Sequence, residues 1–125
     1  KSVQVVLKPF PLPNHPHSVE AAVSAACAGE AVKYWEYRAA LFANQGYYLE
    51  NGDSAFKATA AGLNISGFDA CFDSKKFLSQ IELILQEGKD CGIYGTPTFF
   101  VNGKAFVGEN AATDAEAEIS RLLGN

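Results

Sequence analysis

The chain has 125 residues, of which 48% are hydrophobic and 19% charged, so its length and composition are those of one globular domain and not of a disordered segment. The net charge is −4 and the ten lysines and arginines are scattered, which argues against a nucleic-acid partner. No apolar run approaches the length needed to cross a membrane. We therefore expect one domain that contacts neither nucleic acid nor membrane.

The first predicted element is a strand. Residues 3–8, VQVVLK, are short and β-branched, which is typical of a buried strand. Four prolines between Pro9 and Pro16 then predict a rigid loop, and Ser18 has the residue type of a helix N-cap. The apolar residues that follow recur at helical spacing on one face, namely Val19, Ala22, Val23, Ala26 and Cys27.

A block of helices fills the middle of the sequence. Helical patterns cover about 30–44, 53–61, 66–73 and 75–90, with a turn signal at Asn51-Gly52-Asp53. We expect the aromatic side chains of Tyr34, Trp35 and Tyr37 to pack in the core.

The hydrophobic period changes near the C-terminus. Residues 98–101 and 104–107 predict two strands joined by Asn102-Gly103, the strongest short hairpin signal, because both central residues of a type I′ turn need positive φ. A final helix is predicted over about 114–123. The element order predicts one α/β domain over residues 1–125, with a helical insertion over about 18–91.

Thr96 and Pro97 stand directly ahead of the first hairpin strand. Proline lacks an N–H, so Pro97 must lie where the ladder has not yet formed. Either a plain trans proline at a strand start or a cis peptide that turns the chain sharply fits this position. The second arrangement leaves the backbone of Thr96 unpaired, so that an extended peptide can add as a strand.

The run GIYGTPTFFVNGKAFVG, residues 92–108, resembles the cis-proline loop and hairpin of the DsbA-like branch of the thioredoxin superfamily. Segments along nearly the whole chain match that family in order: Phe10-Pro11-Leu12 with His15-Pro16, Ala25-Ala26-Cys27-Ala28, Lys33-Tyr34-Trp35-Glu36-Tyr37, Leu41-Phe42-Ala43-Asn44-Gln45 and Phe68-Asp69-Ala70-Cys71. The resemblance implies a thioredoxin-like fold with a helical insertion and an activity in protein thiol–disulfide exchange. It also implies that Pro97 is the cis-proline, that Thr96 and Pro97 hold a protein or peptide substrate, and that the protein works in the periplasm or elsewhere outside the cytoplasm. No cofactor is expected.

One departure from the family is decisive. Members carry a C-x-x-C pair at a helix N-terminus, where the helix dipole favours the thiolate, and this sequence has no such pair. Because the family carries it upstream of the strand at 3–8, and because the sequence lacks methionine, we expect a processed chain or a fragment, truncated at the N-terminus and inactive alone. We therefore assign no catalytic residue to this chain.

The absent family strand would lie between residues 3–8 and the hairpin, leaving two unpaired sheet edges. We expect the gap to be closed by rearrangement of residues 3–8, or by a second copy through strand exchange or dimerisation.

The three cysteines have different expected roles. Cys27 and Cys71 both lie on apolar helix faces and are either two buried thiols or, as in some members of the wider family, a structural disulfide. Cys91 follows the C-terminus of a predicted helix, and we expect it to be structural or incidental. His15 and His17 flank Pro16, which is not a usual metal-ligand spacing, so no metal is expected.

Two further functions remain open at this point. A thioredoxin scaffold that has lost its chemistry would be a non-enzymatic peptide-binding or self-associating module. A kappa-like glutathione transferase or isomerase shares the scaffold but uses a serine in place of the first thiol, at a position that this chain does not include.

Overall fold

A computed structural model describes all residues from Lys1 to Asn125. Seven α-helices and one two-stranded antiparallel sheet occur in the order α1 (Ser18–Glu30), α2 (Tyr34–Ala43), α3 (Gln45–Asn51), α4 (Asp53–Gly62), α5 (Phe68–Asp73), α6 (Leu78–Asp90), β1 (Thr98–Val101), β2 (Lys104–Val107) and α7 (Ala111–Leu123). This is the α/β class that the sequence predicts. None of the helices combines the length and the apolar character that a membrane span requires.

The chain divides into two compact units. The helical unit comprises residues 9–86, and the sheet unit comprises residues 1–8 and 87–125. Helix α6 contributes residues to both units. The prediction of a single domain with an insertion over about 18–91 stays a prediction.

The helical unit has a core built on aromatic stacking. The rings of Tyr48 and Phe56 stack at 5.2 Å with planes 13° apart, and those of Phe68 and Phe72 stack at 5.6 Å with planes 11° apart. Tyr37 contacts Phe68 and donates its hydroxyl hydrogen bond to the Phe56 carbonyl oxygen at 3.0 Å. Because the polar end of Tyr37 is satisfied, the whole side chain can be buried at little cost.

Helix α1 begins differently from its prediction. The N-cap is His17, at φ 60°, and its side chain makes no capping hydrogen bond. Ser18 is the first helical residue, and its hydroxyl donates to the Leu12 carbonyl oxygen at 2.8 Å instead. The imidazole of His17 lies against Gly52, where an added Cβ would stand 3.2 Å from the ring. Gly52 is at φ 53°, so both space and conformation require glycine between α3 and α4.

The hairpin forms as predicted. Strands β1 and β2 pair in register from Thr98 opposite Val107 to Val101 opposite Lys104. Asn102 and Gly103 occupy the turn at φ 48° and 85°, which is the left-handed conformation that this pair favours. Helix α7 packs on both strands and buries Ala111 and Ala115.

The predicted strand at residues 3–8 is wrong. The segment belongs to no helix or strand, and its side chains are exposed, with Val5 at 74% and Val6 at 69%. The composition of VQVVLK favours a strand, but a strand forms only when a neighbour supplies hydrogen bonds. The sheet is β1 and β2 alone, so residues 3–8 have not rearranged into it.

Helix boundaries and one side chain also differ from expectation. Helix α2 begins at Tyr34 rather than near residue 30, and the additional helix α3 fills the segment before the turn at Gly52. Tyr37 is buried as predicted, whereas Trp35 is 60% exposed on the outer face of α2, which corrects the expectation that it packs in the core.

Candidate functional site

The loop before β1 holds the two residues predicted to bind substrate. Thr96 and Pro97 are joined by a cis peptide bond, and both are exposed. The loop is closed by Thr98, whose hydroxyl donates to the Gly95 carbonyl oxygen at 2.8 Å. The ladder with β2 begins only at Thr98, so the backbone of Thr96 lies outside it and has no hydrogen-bond partner.

Strand β1 has one paired edge and one unpaired edge. A two-residue turn makes Val101 and Lys104 the hydrogen-bonded pair that closes the hairpin, and the bonding pairs alternate from there. Phe99 therefore bonds to Phe106, whereas the N–H and C=O groups of Thr98 and Phe100 point to the edge that faces away from β2. These groups continue from the unpaired backbone of Thr96 and can accept another extended strand.

Apolar side chains surround this edge. In the sheet unit, Phe99 is 37% exposed and Phe100 49%, and they lie on opposite faces of β1 because strand side chains alternate. Tyr94 and Val107 are also exposed. An extended polypeptide that pairs with β1 would find apolar surface on both faces of the sheet.

A cluster of ion pairs joins strand β2 of the hairpin to helix α7. Arg121 donates two hydrogen bonds to the Glu118 carboxylate, at 2.8 and 2.9 Å, and Lys104 of β2 lies 3.8 Å from it. The Arg121 guanidinium, and to a smaller extent Lys104, lower the pKa of Glu118 to about 2. The cluster joins β2 to α7, which packs on both strands, and the outer edge of β1 has no hydrogen-bonded neighbour. Sequence reasoning did not identify Glu118, and only the pairing of the hairpin with α7 reveals it.

Cys27 and Cys71 form a disulfide in the helical unit. The S–S distance is 2.07 Å, and the bond joins α1 to α5, which also pack together. Of the two alternatives that the sequence left open, the structure has the bridge. Both cysteines are buried, at 2% and 7% exposure. A buried disulfide that crosslinks two packed helices stabilises the fold and is shielded from an attacking thiolate.

Cys91 is the remaining cysteine and is a free, exposed thiol. It follows the last residue of α6, and its N–H donates to the Glu87 carbonyl oxygen at 3.0 Å, as in a continuing helical turn. It is the free thiol of the sheet unit, whereas Cys27 and Cys71 belong to the helical unit.

The two histidines lie at the start of α1: His15 in the preceding turn and His17 at the N-cap. His15 accepts a hydrogen bond from the N–H of Ser18 at 3.2 Å through its carbonyl oxygen, and the ring of His17 packs on Gly52. No group of three histidine, cysteine or acidic side chains is arranged to hold a metal ion.

Comparison with known proteins gives one family and several relatives. A family model described as thioredoxin matches residues 2–121. The chain is 31% identical over 106 residues to the Na(+)/H(+) antiporter NhaA of Herminiimonas arsenicoxydans, a match that covers 85% of this chain and 17% of that protein. It is 37% identical over 106 residues to the Na(+)/H(+) antiporter NhaA 1 of Mycobacterium sp. (strain KMS), covering 82% and 17%.

A third relative, the Na(+)/H(+) antiporter NhaA 1 of Salinispora arenicola (strain CNS-205), is 30% identical over 104 residues, covering 82% of this chain and 16% of that protein. The chain thus spans about a sixth of the length of the curated relatives it matches. No solved structure matches it significantly.

Proposed function

Because the chain belongs to the thioredoxin family, we propose that it is the polypeptide-binding part of a protein thiol–disulfide oxidoreductase. The thioredoxin-like fold predicted from the sequence is confirmed by the match over residues 2–121. The DsbA branch is a finer assignment and is part of the proposal. Thr96 and Pro97 are its substrate-binding residues, and the substrate is an extended segment of a protein or peptide.

The loop at Thr96 carries this proposal. Thr96 presents an exposed backbone without a hydrogen-bond partner directly ahead of the cis bond to Pro97, and the outward groups of Thr98 and Phe100 follow it along β1. Backbone pairing binds any extended segment irrespective of sequence, and the apolar surface around the edge adds affinity for unfolded chains. Such binding suits an enzyme that acts on many proteins.

The state of the three cysteines indicates which part of disulfide exchange these 125 residues carry out. Disulfide exchange begins with a thiolate that attacks one sulfur of the substrate disulfide, forms a mixed disulfide and releases the other sulfur as a thiolate. Cys27 and Cys71 are bonded to each other and buried, and Cys91 has no second cysteine beside it. We therefore propose that these 125 residues hold the substrate and that a dithiol which is not among them performs the exchange.

The Cys27–Cys71 disulfide supports a location outside the cytoplasm. Disulfides persist in oxidising compartments, of which the bacterial periplasm is one, and are rare in the cytosol. We propose a periplasmic or other extracytoplasmic location for the domain. Ion transport, which the names of the relatives state, is not extended to this chain, because the match covers only about a sixth of those proteins.

Peptide binding to two variants of Thr96 tests the proposal. Thr96→Pro removes the N–H donor of the loop, whereas Thr96→Val keeps the backbone and the β-branched shape. The probe is a fluorescent, uncharged peptide rich in valine and alanine, and the readout is anisotropy. We expect Thr96→Pro to weaken binding at least about tenfold, equivalent to one lost hydrogen bond of about 1.4 kcal/mol, and Thr96→Val to bind as the unaltered chain does.

Amide chemical shifts of the unaltered chain provide a second measurement that does not depend on the folding of a variant. Peptide titration should first shift the amide signals of residues 95, 96 and 98–100, since Pro97 has no N–H. Equal affinity of all three chains, together with unshifted signals in this segment, would overturn the proposal.

A non-enzymatic peptide-binding module is the second candidate, because the sequence contains no C-x-x-C pair. Insulin disulfide reduction by the intact natural protein that carries these residues separates the two. Catalysis above an alkylated control supports the oxidoreductase, and peptide binding without catalysis supports the module. For the 125-residue chain alone, both candidates give no catalysis above that control.

A further inference from the structure

The chain contains two Asn-Gly pairs, and the structure holds them differently. Asn51-Gly52 joins α3 to α4, and Asn102-Gly103 forms the turn between β1 and β2. An asparagine loses its side-chain amide most readily ahead of glycine, because glycine has no side chain to shield the backbone nitrogen that attacks. The two pairs therefore allow the same reaction to be compared in two surroundings within one molecule.

The pair Asn51-Gly52 is held by hydrogen bonds. The N–H of Gly52 donates to the Tyr48 carbonyl oxygen at 2.9 Å, and the side-chain amide of Asn51 donates to the Tyr47 carbonyl oxygen at 2.9 Å. Gly52 is also buried, with the ring of His17 against it. Both groups that would have to react are thus engaged elsewhere.

The pair Asn102-Gly103 has none of these restraints. Both residues are exposed, and an added Cβ at Gly103 would meet nothing within 4 Å. The hydrogen bonds that close the hairpin belong to Val101 and Lys104, so the Gly103 N–H donates to no backbone carbonyl, and the side-chain amide of Asn102 has no hydrogen-bond partner. The backbone nitrogen, the side-chain carbonyl carbon and water can therefore meet without any hydrogen bond being opened first.

We propose that Asn102 is a site of spontaneous deamidation and that the reaction removes the two-residue turn of the hairpin. The Gly103 nitrogen loses its proton to solvent base and forms a bond to the side-chain carbonyl carbon of Asn102. The bond from that carbon to Nδ2 breaks, and the nitrogen takes up a proton from solvent and leaves as ammonia. Water then opens the resulting succinimide ring at either of its two carbonyl carbons, so that residue 102 becomes aspartate or isoaspartate. No oxidant or reductant is needed.

The isoaspartate product changes the length of the turn. Its main chain passes through the former side-chain carbonyl, which adds one main-chain atom between Val101 and Lys104, the pair that closes the hairpin. The aspartate product keeps an ordinary main chain, and aspartate tolerates the φ of 48° found at Asn102. Isoaspartate, rather than the added charge, therefore weakens the pairing of β1 with β2. This inference does not depend on the proposed function.

Peptide mapping by mass spectrometry of the unaltered chain, incubated at mildly alkaline pH, compares the two pairs directly. Cleavage after lysine and arginine places Asn51 in the peptide 39–57 and Asn102 in the peptide 90–104. We expect Asn102 to deamidate at least about tenfold faster than Asn51, since one hydrogen bond that must open first lowers the rate about tenfold. The rate at Asn102 should rise with pH, because the attacking nitrogen must lose its proton.

The same measurement in guanidinium is the control, and the two rates should converge there because unfolding releases Asn51. Equal rates at Asn51 and Asn102 in the folded chain would overturn the proposal. A rate at Asn102 that becomes measurable only in guanidinium, or a difference that persists unchanged in guanidinium, would overturn it as well.

Amide hydrogen exchange of the separated products tests the effect on the hairpin. The isoaspartate form should lose protection at Phe99 and Val101. Asn102→Asp is the matched control, because it carries the same added charge on an ordinary main chain, and it should keep that protection. An isoaspartate form as well protected as Asn102→Asp would show that the turn survives the reaction and would contradict the proposal.

Discussion

The helical unit and the sheet unit differ in how completely they bury their apolar side chains and pair their backbone polar groups. All buried hydrophobic residues except Ala111 and Ala115 belong to the helical unit. That unit also holds the disulfide and the stacked aromatic rings. The sheet unit instead exposes valines in residues 3–7, two phenylalanines of β1 and the unpaired backbone groups beside them.

This difference indicates that the helical unit provides the stability and that the sheet unit provides the binding surface. Helices satisfy their backbone hydrogen bonds internally, so the helical unit needs only side-chain packing to be complete. A strand satisfies half of its groups on each side, and a two-stranded sheet leaves both outer edges open. The sheet unit is therefore the part of the molecule that gains from an added strand.

Removal of the disulfide should have the largest effect and should act on the helical unit. The bond closes a loop with a sequence separation of 44 residues, for which the chain-entropy relation gives about 4 kcal/mol of stabilisation. We expect Cys27→Ala/Cys71→Ala to lower the free energy of unfolding in urea by about this amount. Cys91→Ala, at the exposed thiol, is the control and should change it by less than about 0.5 kcal/mol. A loss in the double variant no larger than in the control would contradict the account.

Tyr37→Phe should have the next largest effect. It removes the hydroxyl that donates to the Phe56 carbonyl oxygen inside the helical core. We expect a loss of about 1 kcal/mol, and Tyr47→Phe, at an exposed ring, should be near neutral. Thermal unfolding measures both, and equal stability of the two variants would show that the buried hydrogen bond contributes nothing.

The same side chain predicts the behaviour of the helical unit at high pH. Burial raises the pKa of the Tyr37 phenol well above its ordinary value of 10.0. A group with a raised pKa in the folded state contributes stability that is complete below the unfolded pKa and is lost as the pH rises through the folded pKa. The free energy of unfolding should therefore fall above pH 10, and it should fall less steeply in Tyr37→Phe.

Gly103→Ala should weaken the hairpin of the sheet unit. Gly103 has φ 85°, and a left-handed conformation costs a residue with a Cβ about 1 kcal/mol. Gly46 is the matched control, because it lies in α3 with open space around it. Gly46→Ala should be neutral or slightly stabilising. Calorimetry that gave the two variants the same unfolding temperature would contradict the assigned turn.

Glu118→Gln should have the smallest effect on stability, and that effect should change with pH in the acidic range. The Arg121 guanidinium holds the pKa of Glu118 at about 2, below its ordinary value of 4.5. Its contribution to stability is therefore present above pH 4.5 and is lost as the pH falls toward 2. The unfolding temperature of Glu118→Gln should be lower than that of the unaltered chain at pH 7, and the difference should shrink between pH 4.5 and 2. Glu116→Gln, on the same helix without these partners, is the control and should leave the unfolding temperature at pH 7 nearly unchanged.

Local signals account for the parts of the fold that the sequence predicted well. Asn102-Gly103 specifies its turn through positive φ alone, and the apolar periodicity of α1 and α7 needs no distant partner. The error at residues 3–8 has the opposite cause, because a strand depends on a neighbour that composition cannot reveal. The disulfide could not be distinguished from two buried thiols, since only tertiary packing brings Cys27 to Cys71.

The residues of the candidate site also differ in how well the sequence predicts them. Because a proline directly ahead of a strand is unusual, the sequence alone pointed to Thr96 and Pro97. The outward groups of Thr98 and Phe100 became visible only with the register of β1 and β2. The exposure of Cys91 likewise depends on how α6 ends, which its flanking residues did not specify.

Residue-resolved amide hydrogen exchange, with and without the extended peptide, tests most directly whether the sheet unit is completed by an added strand. In the free chain, the amides of Phe99 and Val101 should be protected by β2 and those of Thr98 and Phe100 should exchange freely. Saturating peptide should protect Thr98 and Phe100 and leave the core amides of α1 and α4 unchanged. Free exchange at Thr98 and Phe100 that persists in saturating peptide would contradict the account.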